Sequence, residues 1–504
     1  MLFIDFFDRG VERFPDRPVI IDGDRQWTYR EMDGLVTQIS QALIHTGMKP
    51  GDRVGIFSPN HGYGFAVHYA TLRAGGIWFP LNFRNGGEVT RDAVETFNAP
   101  YVFFHSSLAD DVEPLSADPT RRLICLDADV GFAPSLDEWV AEHAKPAEFP
   151  LRRGDDLCAL LLTSGTTGKP KGISLTNKAF SAMVAEYDIV FRHDVPPVHL
   201  VVAPITHAAG AYAVTLLAHG GTHVLMAKPD TLGVLEAFEK HKVTTVFLPP
   251  TLIYMLLAHP KLKDFDYSSL RTMLYGAAPM SVQKLKEAID AFGPVLTQVY
   301  AQSEALMMCT IMTAEEHVEA LNDPALEHRL ASAGREGPLV RIGIMNDEGA
   351  LLPTGETGEI VVRGEILMEE YVDNPEATAE AQAFGWHHTG DVGRKDEDGF
   401  IYIVDRKKEM IITGGFNVFP SEVERVVLRH PAIQDCAVIG IPDEKWGEAV
   451  LAAVELKPEQ TVAEEELIEH CKASLGSVKA PKAIQFVEAL PRSGNGKVLR
   501  RVIR

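Results

Sequence analysis

The densest group of side chains able to do chemistry lies in one ten-residue run. It reads Thr163-Ser164-Gly165-Thr166-Thr167-Gly168-Lys169-Pro170-Lys171-Gly172 and contains four hydroxyls, three glycines and two lysines. Glycines allow backbone N–H groups to converge on an anion, hydroxyls donate further hydrogen bonds, and lysines add positive charge. The run therefore predicts a loop that binds phosphate groups.

The spacing within this run differs from that of a Walker loop. Two residues separate Gly165 from Gly168-Lys169, and Pro170 follows the lysine where a Walker loop has Ser or Thr. An apolar run at residues 157–162 precedes the loop and alternating apolar residues at 173–175 follow it, so we expect the loop to connect two strands. A flexible polar turn is the alternative interpretation. The two lysines and the preceding apolar strand favour phosphate binding.

The elements that must position this loop alternate between helix and strand. Helical spacing of apolar residues covers 29–45 and 64–74, with a short apolar run at 53–57 between them. Further apolar runs predict parallel strands with helices between them at residues 200–203, 244–248, 272–275 and 296–300. Such alternation is typical of layered α/β architecture.

The sequence changes character after about residue 335. Turn sequences at 346–349 and 354–358 separate short strand-like runs, which predicts a small β-rich subdomain. The charged run Asp405-Arg406-Lys407-Lys408-Glu409 precedes a further unit. Its first helix is predicted to begin at Ser421, because Ser421 and Glu424 form the pattern of a capping box.

Length and element order together predict the fold class. At 504 residues the chain exceeds the size of a single core. We predict an α/β protein whose large N-terminal domain combines layered α/β subdomains with the small β-rich subdomain. A small α+β domain is expected to follow at the C-terminus.

Composition and charge exclude several classes of protein. Hydrophobic residues make up 46% of the chain and charged residues 23%, which is typical of soluble globular proteins. Asp5 and Asp8 interrupt the apolar N-terminus, so we expect a cytoplasmic location with neither a signal peptide nor stable membrane insertion. The net charge of −22 argues against a nucleic-acid partner. The cysteines are scattered and predict neither a zinc site nor disulfides; they are Cys125, Cys158, Cys309, Cys436 and Cys471.

Further motifs follow the loop in a fixed order. They are Tyr300-Ala301-Gln302-Ser303-Glu304, Trp386-His387-His388-Thr389-Gly390-Asp391, Asp405-Arg406-Lys407-Lys408, Gly414-Gly415-Phe416-Asn417-Val418-Phe419-Pro420 and Pro491-Arg492-Ser493-Gly494-Asn495-Gly496-Lys497. Each alone is weakly specific. Their order, over nearly the whole chain, resembles the adenylate-forming enzymes, which include acyl-CoA synthetases, peptide-synthetase adenylation domains and beetle luciferases. The glycine pair of the fourth motif is similar to the acyl-CoA synthetase form.

The resemblance implies a ligase with two half-reactions. A carboxylic acid attacks MgATP to give acyl-AMP and pyrophosphate, and coenzyme A then displaces AMP to give acyl-CoA. ATP, Mg²⁺ and coenzyme A are the implied cofactors. The alternatives are an adenylate-only ligase that passes its acyl group to a carrier protein, a peptide-synthetase adenylation domain, and a non-catalytic nucleotide-binding protein. The oligomeric state is left open, with a homodimer among the possibilities.

The resemblance also implies the residues of the ATP site. In this family, the residue that matches Tyr300 lies against the adenine. The segment that matches Gly276-Ala277-Ala278 forms the opposite wall of the adenine-binding slot. Asp391 is expected to accept hydrogen bonds from the ribose hydroxyls, and Arg406 to hold ribose or phosphate. The implied metal-linked residues are Thr163 and Glu304. The full implied set for ATP is Thr163, Ser164, Gly165, Thr166, Thr167, Gly168, Lys169, Lys171, Gly276, Ala277, Ala278, Tyr300, Ala301, Ser303, Asp391 and Arg406.

Two orientations of the C-terminal domain are implied. In the first, Lys497 lies between the carboxylate and the α-phosphate and neutralises charge that develops in the transition state. Rotation about Lys408 then removes Lys497 and brings in Gly414-Gly415-Phe416 to line the tunnel for the pantetheine of coenzyme A. The implied boundaries are 1–404 for the N-terminal domain, 405–410 for the hinge and 411–504 for the mobile C-terminal domain.

The acyl pocket is expected between two apolar segments, residues 208–214 and 305–309. Its implied lining is His207, Ala208, Ala209, Tyr212 and Met307. The family often has an aromatic residue or His at the position of His207, where it gates the pocket; an ordinary loop histidine is the alternative. An apolar lining favours an uncharged fatty or aromatic acid over a dicarboxylate or an amino acid.

Overall fold

The computed structural model of the chain describes residues 1–163, 171–205, 208–443, 446–492 and 498–503. The chain divides into two compact units. The first contains Met1–Ile342 and Val362–His387, and the second contains Gly343–Val361 and His388–Arg504. Within the described ranges, no helix is long and apolar enough to cross a membrane.

Strands and helices alternate through most of the chain. The strands are β1 (Pro18–Asp22), β2 (Arg25–Thr28), β3 (Arg53–Phe57), β4 (Ile77–Leu81), β5 (Tyr101–Phe104), β6 (Arg122–Cys125), β7 (Leu157–Leu162), β8 (Gly172–Thr176), β9 (Val198–Val201), β10 (Thr222–Leu225), β11 (Thr245–Leu248), β12 (Thr272–Tyr275), β13 (Leu296–Gln302), β14 (Ala305–Met312), β15 (Arg335–Glu336), β16 (Val340–Met345), β17 (Thr357–Gly364), β18 (Glu370–Tyr371), β19 (His387–Lys395), β20 (Ile401–Arg406), β21 (Ile411–Thr413), β22 (Phe416–Val418), β23 (Ile433–Asp443), β24 (Gly447–Leu456) and β25 (Ala483–Phe486). The α-helices are α1 (Phe3–Arg13), α2 (Tyr29–His45), α3 (Gly62–Arg73), α4 (Gly87–Thr96), α5 (Ala109–Val112), α6 (Leu136–His143), α7 (Asn177–Val190), α8 (Ala208–Leu217), α9 (Thr231–Lys240), α10 (Pro250–Leu257), α11 (Val282–Phe292), α12 (Ala314–Asn322), α13 (Pro375–Ala381), α14 (Pro420–Val427) and α15 (Glu464–Lys479).

Local sequence explains where these elements begin. Thr28 accepts a hydrogen bond from Glu31 N, and the Glu31 carboxylate accepts one from Thr28 N, so a capping box starts α2 at the predicted residue. The apolar face of α2 is buried, as the spacing of its apolar residues requires. The predicted strand at 53–57 is β3.

A seven-stranded sheet positions the phosphate loop in the first unit. Its order is β18-β8-β7-β4-β3-β5-β6, and β7, β4, β3, β5 and β6 run parallel. Phe57, Phe79 and Phe104 from three of these strands share a buried cluster with Val94 of α4. β7 ends at Leu162 and the antiparallel β8 begins at the next described strand residue, Gly172. The prediction that the loop connects two strands is confirmed.

A nine-stranded sheet carries the second group of predicted site residues. Its order is β15-β14-β13-β12-β11-β9-β10-β1-β2. The predicted parallel strands are present as β9, β11, β12 and β13, whereas β14 returns antiparallel to β13. The turn between β13 and β14 holds Ser303 and Glu304.

Most residues of two smaller sheets belong to the second unit. One has the order β16-β17-β19-β20, and the other has the order β22-β21-β24-β23, with β25 paired to β24. The helices α14 and α15 contribute Val423, Val427, Leu467 and Cys471 to the buried core of the second sheet. All five cysteines of the chain are free and buried.

The predicted capping box at Ser421 is wrong. The helix α14 begins at Pro420, with Phe419 in the capping position. Ser421 N instead donates to the Asp405 carboxylate (2.7 Å), and the Ser421 hydroxyl donates to Val404 O. The Glu424 side chain accepts from Val438 N (2.8 Å), a partner 14 residues away. A partner from outside the helix therefore replaces the local cap.

Candidate active site

Both described ends of the phosphate loop are fixed by the backbone. Thr163 N donates to Lys171 O (3.0 Å), and Leu162 pairs with Gly172 in the ladder of β7 and β8. A Cβ at Gly172 would lie 2.4 Å from the Phe97 ring, so glycine is required for this close approach. The predicted contacts of Ser164, Gly165, Thr166, Thr167, Gly168 and Lys169 lie outside the described residues and stay predictions.

Residues 366–372, which we call the bridging segment, join the phosphate-loop strand to the turn that carries Glu304. On one side, Tyr371 pairs with Ile173 of β8, and Val372 N donates to Gly172 O (2.8 Å). On the other side, Met368 N donates to Glu304 O (2.8 Å). The bridging segment therefore contacts both sheets of the first unit at the places where the sequence predicts phosphate and metal binding.

The side chain of Tyr371 joins Glu304 and Lys171. Its hydroxyl donates to Glu304 Oε1 (2.8 Å), and Lys171 Nζ lies 4.6 Å from the centroid of its ring. Burial raises the pKa of Tyr371, and the neighbouring Glu304 raises it further, so the phenol stays protonated and donates. Sequence reasoning missed Tyr371, because its two partners are distant in sequence.

The donors near Glu304 fit Mg²⁺. Glu304 is a half-buried carboxylate with one oxygen oriented by a hydroxyl, and Mg²⁺ prefers such hard oxygen ligands. Among the described residues, no three His, Cys, Asp or Glu side chains form a metal cage. Mg²⁺ needs no such cage when it is bound through one carboxylate and the phosphates of a substrate.

The two predicted walls of the adenine slot lie next to each other. A Cβ at Gly276 would lie 2.4 Å from Val299 O, so only glycine permits the segment after β12 to approach the residue before Tyr300 this closely. Ala277 has a φ of +66°, and Ala277 and Ala278 are exposed. Tyr300 and Ala301 are half-buried and Ser303 is exposed.

A buried tyrosine, Tyr275, directly precedes the Gly276 wall of this slot. The Tyr275 hydroxyl lies 2.8 Å from His317 Nε2 and 3.1 Å from Gln298 Oε1. Burial lowers the pKa of His317 to about 4, so its ring is neutral at pH 7. His317 Nδ1 lies 2.7 Å from Thr313 O and donates to it, which leaves Nε2 to accept from Tyr275. These contacts connect α12 to the end of β12 and to β13.

In the second unit, the two predicted ribose-site residues pair with each other. Asp391 and Arg406 are opposite one another in the ladder of β19 and β20, and Arg406 Nε lies 2.6 Å from Asp391 Oδ1. Asp391 is buried, and its N–H donates to the Thr389 hydroxyl (3.1 Å). The guanidinium therefore orients a carboxylate that the sequence predicts to bind ribose.

The residues on either side of Lys408 form ion pairs. Lys407 Nζ lies 2.7 Å from Asp347 and 3.0 Å from Glu359, whereas Glu409 pairs with Arg500. Burial opposes ionisation of Glu359, but hydrogen bonds from His388 and Lys407 lower its pKa below the ordinary value. The predicted hinge residue thus lies between two anchored neighbours.

The two glycines predicted to line the pantetheine tunnel have different surroundings. Both have left-handed backbones, with φ of +59° at Gly414 and +82° at Gly415. A Cβ at Gly414 would lie 2.7 Å from the Trp446 ring, whereas a Cβ at Gly415 would contact nothing within 4 Å. Phe416 is exposed. The predicted role of these residues in binding coenzyme A stays a prediction.

Two of the predicted acyl-pocket residues share one apolar cluster. Tyr212 of α8 is buried in this cluster together with Tyr187 and Met308, and half-buried Met307 packs against them. Sequence reasoning missed Tyr187. Ala209 is buried in α8. His207 and the side chain of Ala208 lie outside the described residues, as does Lys497.

Comparison with known proteins gives matches over nearly the whole chain. The model of the AMP-binding enzyme family matches residues 7–372, and that of the AMP-binding enzyme C-terminal domain matches 422–497. The medium/long-chain-fatty-acid–CoA ligase FadD8 of Mycobacterium tuberculosis is 35% identical over 98% of this chain and 88% of its own length. The feruloyl-CoA synthase of an Amycolatopsis species is 34% identical over 98% of this chain and 97% of its own. The solved structure of the amide bond synthetase McbA from Marinactinospora thermotolerans has a TM-score of 0.88 at 29% identity, covering 100% of this chain and 99% of that one.

Proposed function

Because this chain belongs to the AMP-binding enzyme family, we propose that it activates an uncharged fatty or aromatic acid with MgATP and transfers the acyl group to coenzyme A. The observation that carries the proposal is the convergence of Lys171 and Glu304 on Tyr371. This arrangement supports the proposal, because the activation of an acid by ATP needs positive charge and a metal-binding carboxylate near the phosphates.

The first half-reaction depends on charge neutralisation and positioning. The acid oxygen attacks the α-phosphorus in line, and pyrophosphate leaves with the electron pair of the broken P–O bond. Thr163, Lys169 and Lys171 bind the leaving phosphates. Glu304, with Thr163, would hold Mg²⁺, which supplies positive charge to the phosphate oxygens when bound. Lys497 lies between the carboxylate and the α-phosphate and offsets the repulsion between these two anions.

Asp391 and Arg406 hold the ribose. Asp391 is buried with one oxygen on Arg406, and its carboxylate is the proposed acceptor for the ribose hydroxyls. Arg406 is about half exposed at its side chain, so it can contact both the carboxylate and a phosphate or ribose oxygen. The ion pair between the two side chains supports their proposed joint role in orienting the nucleoside.

In the second half-reaction, the thiol of coenzyme A attacks the acyl carbonyl and AMP leaves. We propose that the domain 411–504 rotates about Lys408 within the hinge 405–410, relative to the domain 1–404. Gly414 and Gly415 then admit the pantetheine arm. The left-handed backbone at both residues supports this role, since a glycine loop presents little side-chain bulk.

The apolar cluster around Tyr187, Tyr212 and Met307 supports an uncharged acid as the substrate. The two relatives act on a fatty acid and on ferulate by their names, so both aliphatic and aryl acids belong in a substrate screen. His207 is proposed to gate this pocket. We further propose a cytoplasmic enzyme whose partners are its acid, ATP and coenzyme A.

A screen of half-reactions tests the proposal. Pyrophosphate release is measured over a series of aliphatic acids, aryl acids, dicarboxylates and amino acids, with and without coenzyme A, and the thioester is identified by mass spectrometry. We expect acid-dependent pyrophosphate release and a thioester with neutral monocarboxylic acids. Pyrophosphate release without any thioester would favour transfer to a carrier protein, and preference for a dicarboxylate would contradict the proposed pocket.

A further inference from the structure

We propose that Tyr371 is a positioning residue that fixes the Glu304 carboxylate relative to the phosphate loop before Mg²⁺ and ATP bind. The inference rests on the proposed roles of Glu304 and Lys171. It adds a residue that sequence reasoning did not identify.

The backbone around Tyr371 is tied to both predicted binding elements. The bridging segment pairs with β8 through Tyr371 and Val372 and contacts the Glu304 turn through Met368. Tyr371 is itself anchored, because its N–H donates to the Thr378 hydroxyl (3.0 Å) in the helix α13. Tyr371 is therefore held in place by three elements of the same unit.

The side chain binds two opposite charges at two different places. The hydroxyl holds Glu304 Oε1, and the ring lies under the Lys171 ammonium. Each charged group thus has its own contact on Tyr371, the ammonium at the ring face and the carboxylate at the hydroxyl. Tyr371 keeps Glu304 available for a hard cation and Lys171 available for phosphate oxygens.

Removing only the Tyr371 hydroxyl tests its contact with Glu304 separately from the contact of its ring with Lys171. Tyr371→Phe keeps the ring under Lys171 but removes the hydrogen bond to Glu304. Because outer-shell partners of metal ligands change metal affinity by about 10- to 100-fold, we expect the variant to bind the metal at least about 10-fold more weakly. Lys171 keeps its contact with the ring, so binding of metal-free nucleotide should change by less than about 3-fold.

The measurement is Mn²⁺ binding, followed by electron paramagnetic resonance, to the full-length enzyme with α,β-methylene-ATP. This nucleotide cannot release pyrophosphate, so the readout does not depend on turnover or on the identity of the acid. Tyr402→Phe is the matched control, because the Tyr402 hydroxyl donates to the Asp396 carboxylate (3.0 Å) outside the proposed site. It should bind Mn²⁺ as the wild type does.

A double-mutant cycle distinguishes positioning from a structural role. If Tyr371 acts through Glu304, the effect of Tyr371→Phe should fall below about 2-fold in a Glu304→Gln background, since coupled residues are non-additive. Unchanged Mn²⁺ binding in Tyr371→Phe, or an equal loss in both backgrounds, overturns the inference. If Tyr371→Phe unfolds below the assay temperature, a second variant replaces Tyr371 with p-aminophenylalanine, which keeps both the ring and a hydrogen-bond donor. This variant should bind Mn²⁺ as the wild type does, and weaker binding would also overturn the inference.

The outcome is independent of the substrate proposal. Failure to find an acid substrate would contradict the proposed function and leave the Mn²⁺ result standing. Normal acyl-CoA synthesis by the wild type, together with unchanged metal binding in Tyr371→Phe, would contradict only the role of Tyr371.

Discussion

The buried carboxyl of Glu186 should make the stability of the first unit depend on pH. Glu186 lies in α7 with no exposed surface, and its one hydrogen-bond partner in the described chain is Leu339 N, which donates to Oε1 (3.0 Å). Burial raises the pKa of Glu186 from 4.5 to about 7, and the single hydrogen bond only partly opposes this. The folded chain therefore holds this proton more tightly than the unfolded chain does.

The sign and size of the effect follow from linkage. Because the folded pKa is raised, the stabilisation is fully present below pH 4.5 and is lost as the pH rises through about 7. Each tenfold change in proton affinity is worth about 1.4 kcal/mol, so the free energy of unfolding should fall by roughly 2 to 3 kcal/mol between pH 5 and pH 8 from this group alone. Little further change is expected above pH 8.

Urea unfolding of the wild type and of Glu186→Gln from pH 5 to pH 8 isolates this group. Gln keeps an acceptor for Leu339 N and cannot ionise, and all other titrating groups cancel in the difference between the two proteins. Tryptophan fluorescence suits the assay, because Trp27, Trp78, Trp139 and Trp386 lie in the first unit. Glu236→Gln, on the exposed face of α9, is the control for loss of a surface carboxylate. If the difference in free energy of unfolding between wild type and Glu186→Gln stays constant from pH 5 to pH 8, the raised pKa of Glu186 is refuted.

Three further predictions concern catalysis. Thr167→Val or Lys169→Ala should slow pyrophosphate release by about one to two decades, because a lost charge-assisted contact costs about 1.5–3 kcal/mol; an unchanged rate would contradict the phosphate loop. Gly415→Leu should release pyrophosphate normally and lose thioester formation, whereas normal acyl-CoA synthesis would contradict the tunnel. Lys497→Ala should fail to make acyl-AMP yet convert supplied acyl-AMP to acyl-CoA, and Lys408→Pro should do the reverse, because proline fixes φ and stops rotation. These two variants are compared by single-turnover kinetics of both half-reactions, with thermal unfolding as the control. Equal loss of both half-reactions in either variant would argue against two orientations of the C-terminal domain.

Much of the fold could be predicted because its elements are specified locally. The helix α2 begins and ends where the predicted apolar spacing places it, and β12 matches the predicted run at 272–275. The family, the α/β fold class and the AMP-forming acid–CoA ligase activity predicted from ordered motifs are confirmed by the family models and relatives. The predicted domain boundaries and the roles of the site residues stay predictions.

The features that sequence reasoning missed depend on distant partners. Ser421 has the local pattern of a helix cap, but the hydrogen-bond acceptors it uses belong to Val404 and Asp405. Tyr371 reaches a carboxylate 67 residues earlier in the chain, and Glu186 meets a backbone amide 153 residues later. No spacing rule predicts such contacts, because they arise only when separate strands and helices have packed.

The contacts around Lys408 suggest which interactions a rotation there must break. Lys407 is anchored to Asp347 and Glu359, which precede the proposed hinge, and Glu409 is anchored to Arg500, which follows it. All three ion pairs can therefore survive a change of backbone angles at Lys408 alone. By contrast, Ser421 follows the proposed hinge and bonds to Val404 and Asp405, which precede or begin it. A rotation about Lys408 must exchange these two hydrogen bonds for water. At about 0.5–1.5 kcal/mol net for each bond, these two hydrogen bonds would be a small cost for the proposed rotation.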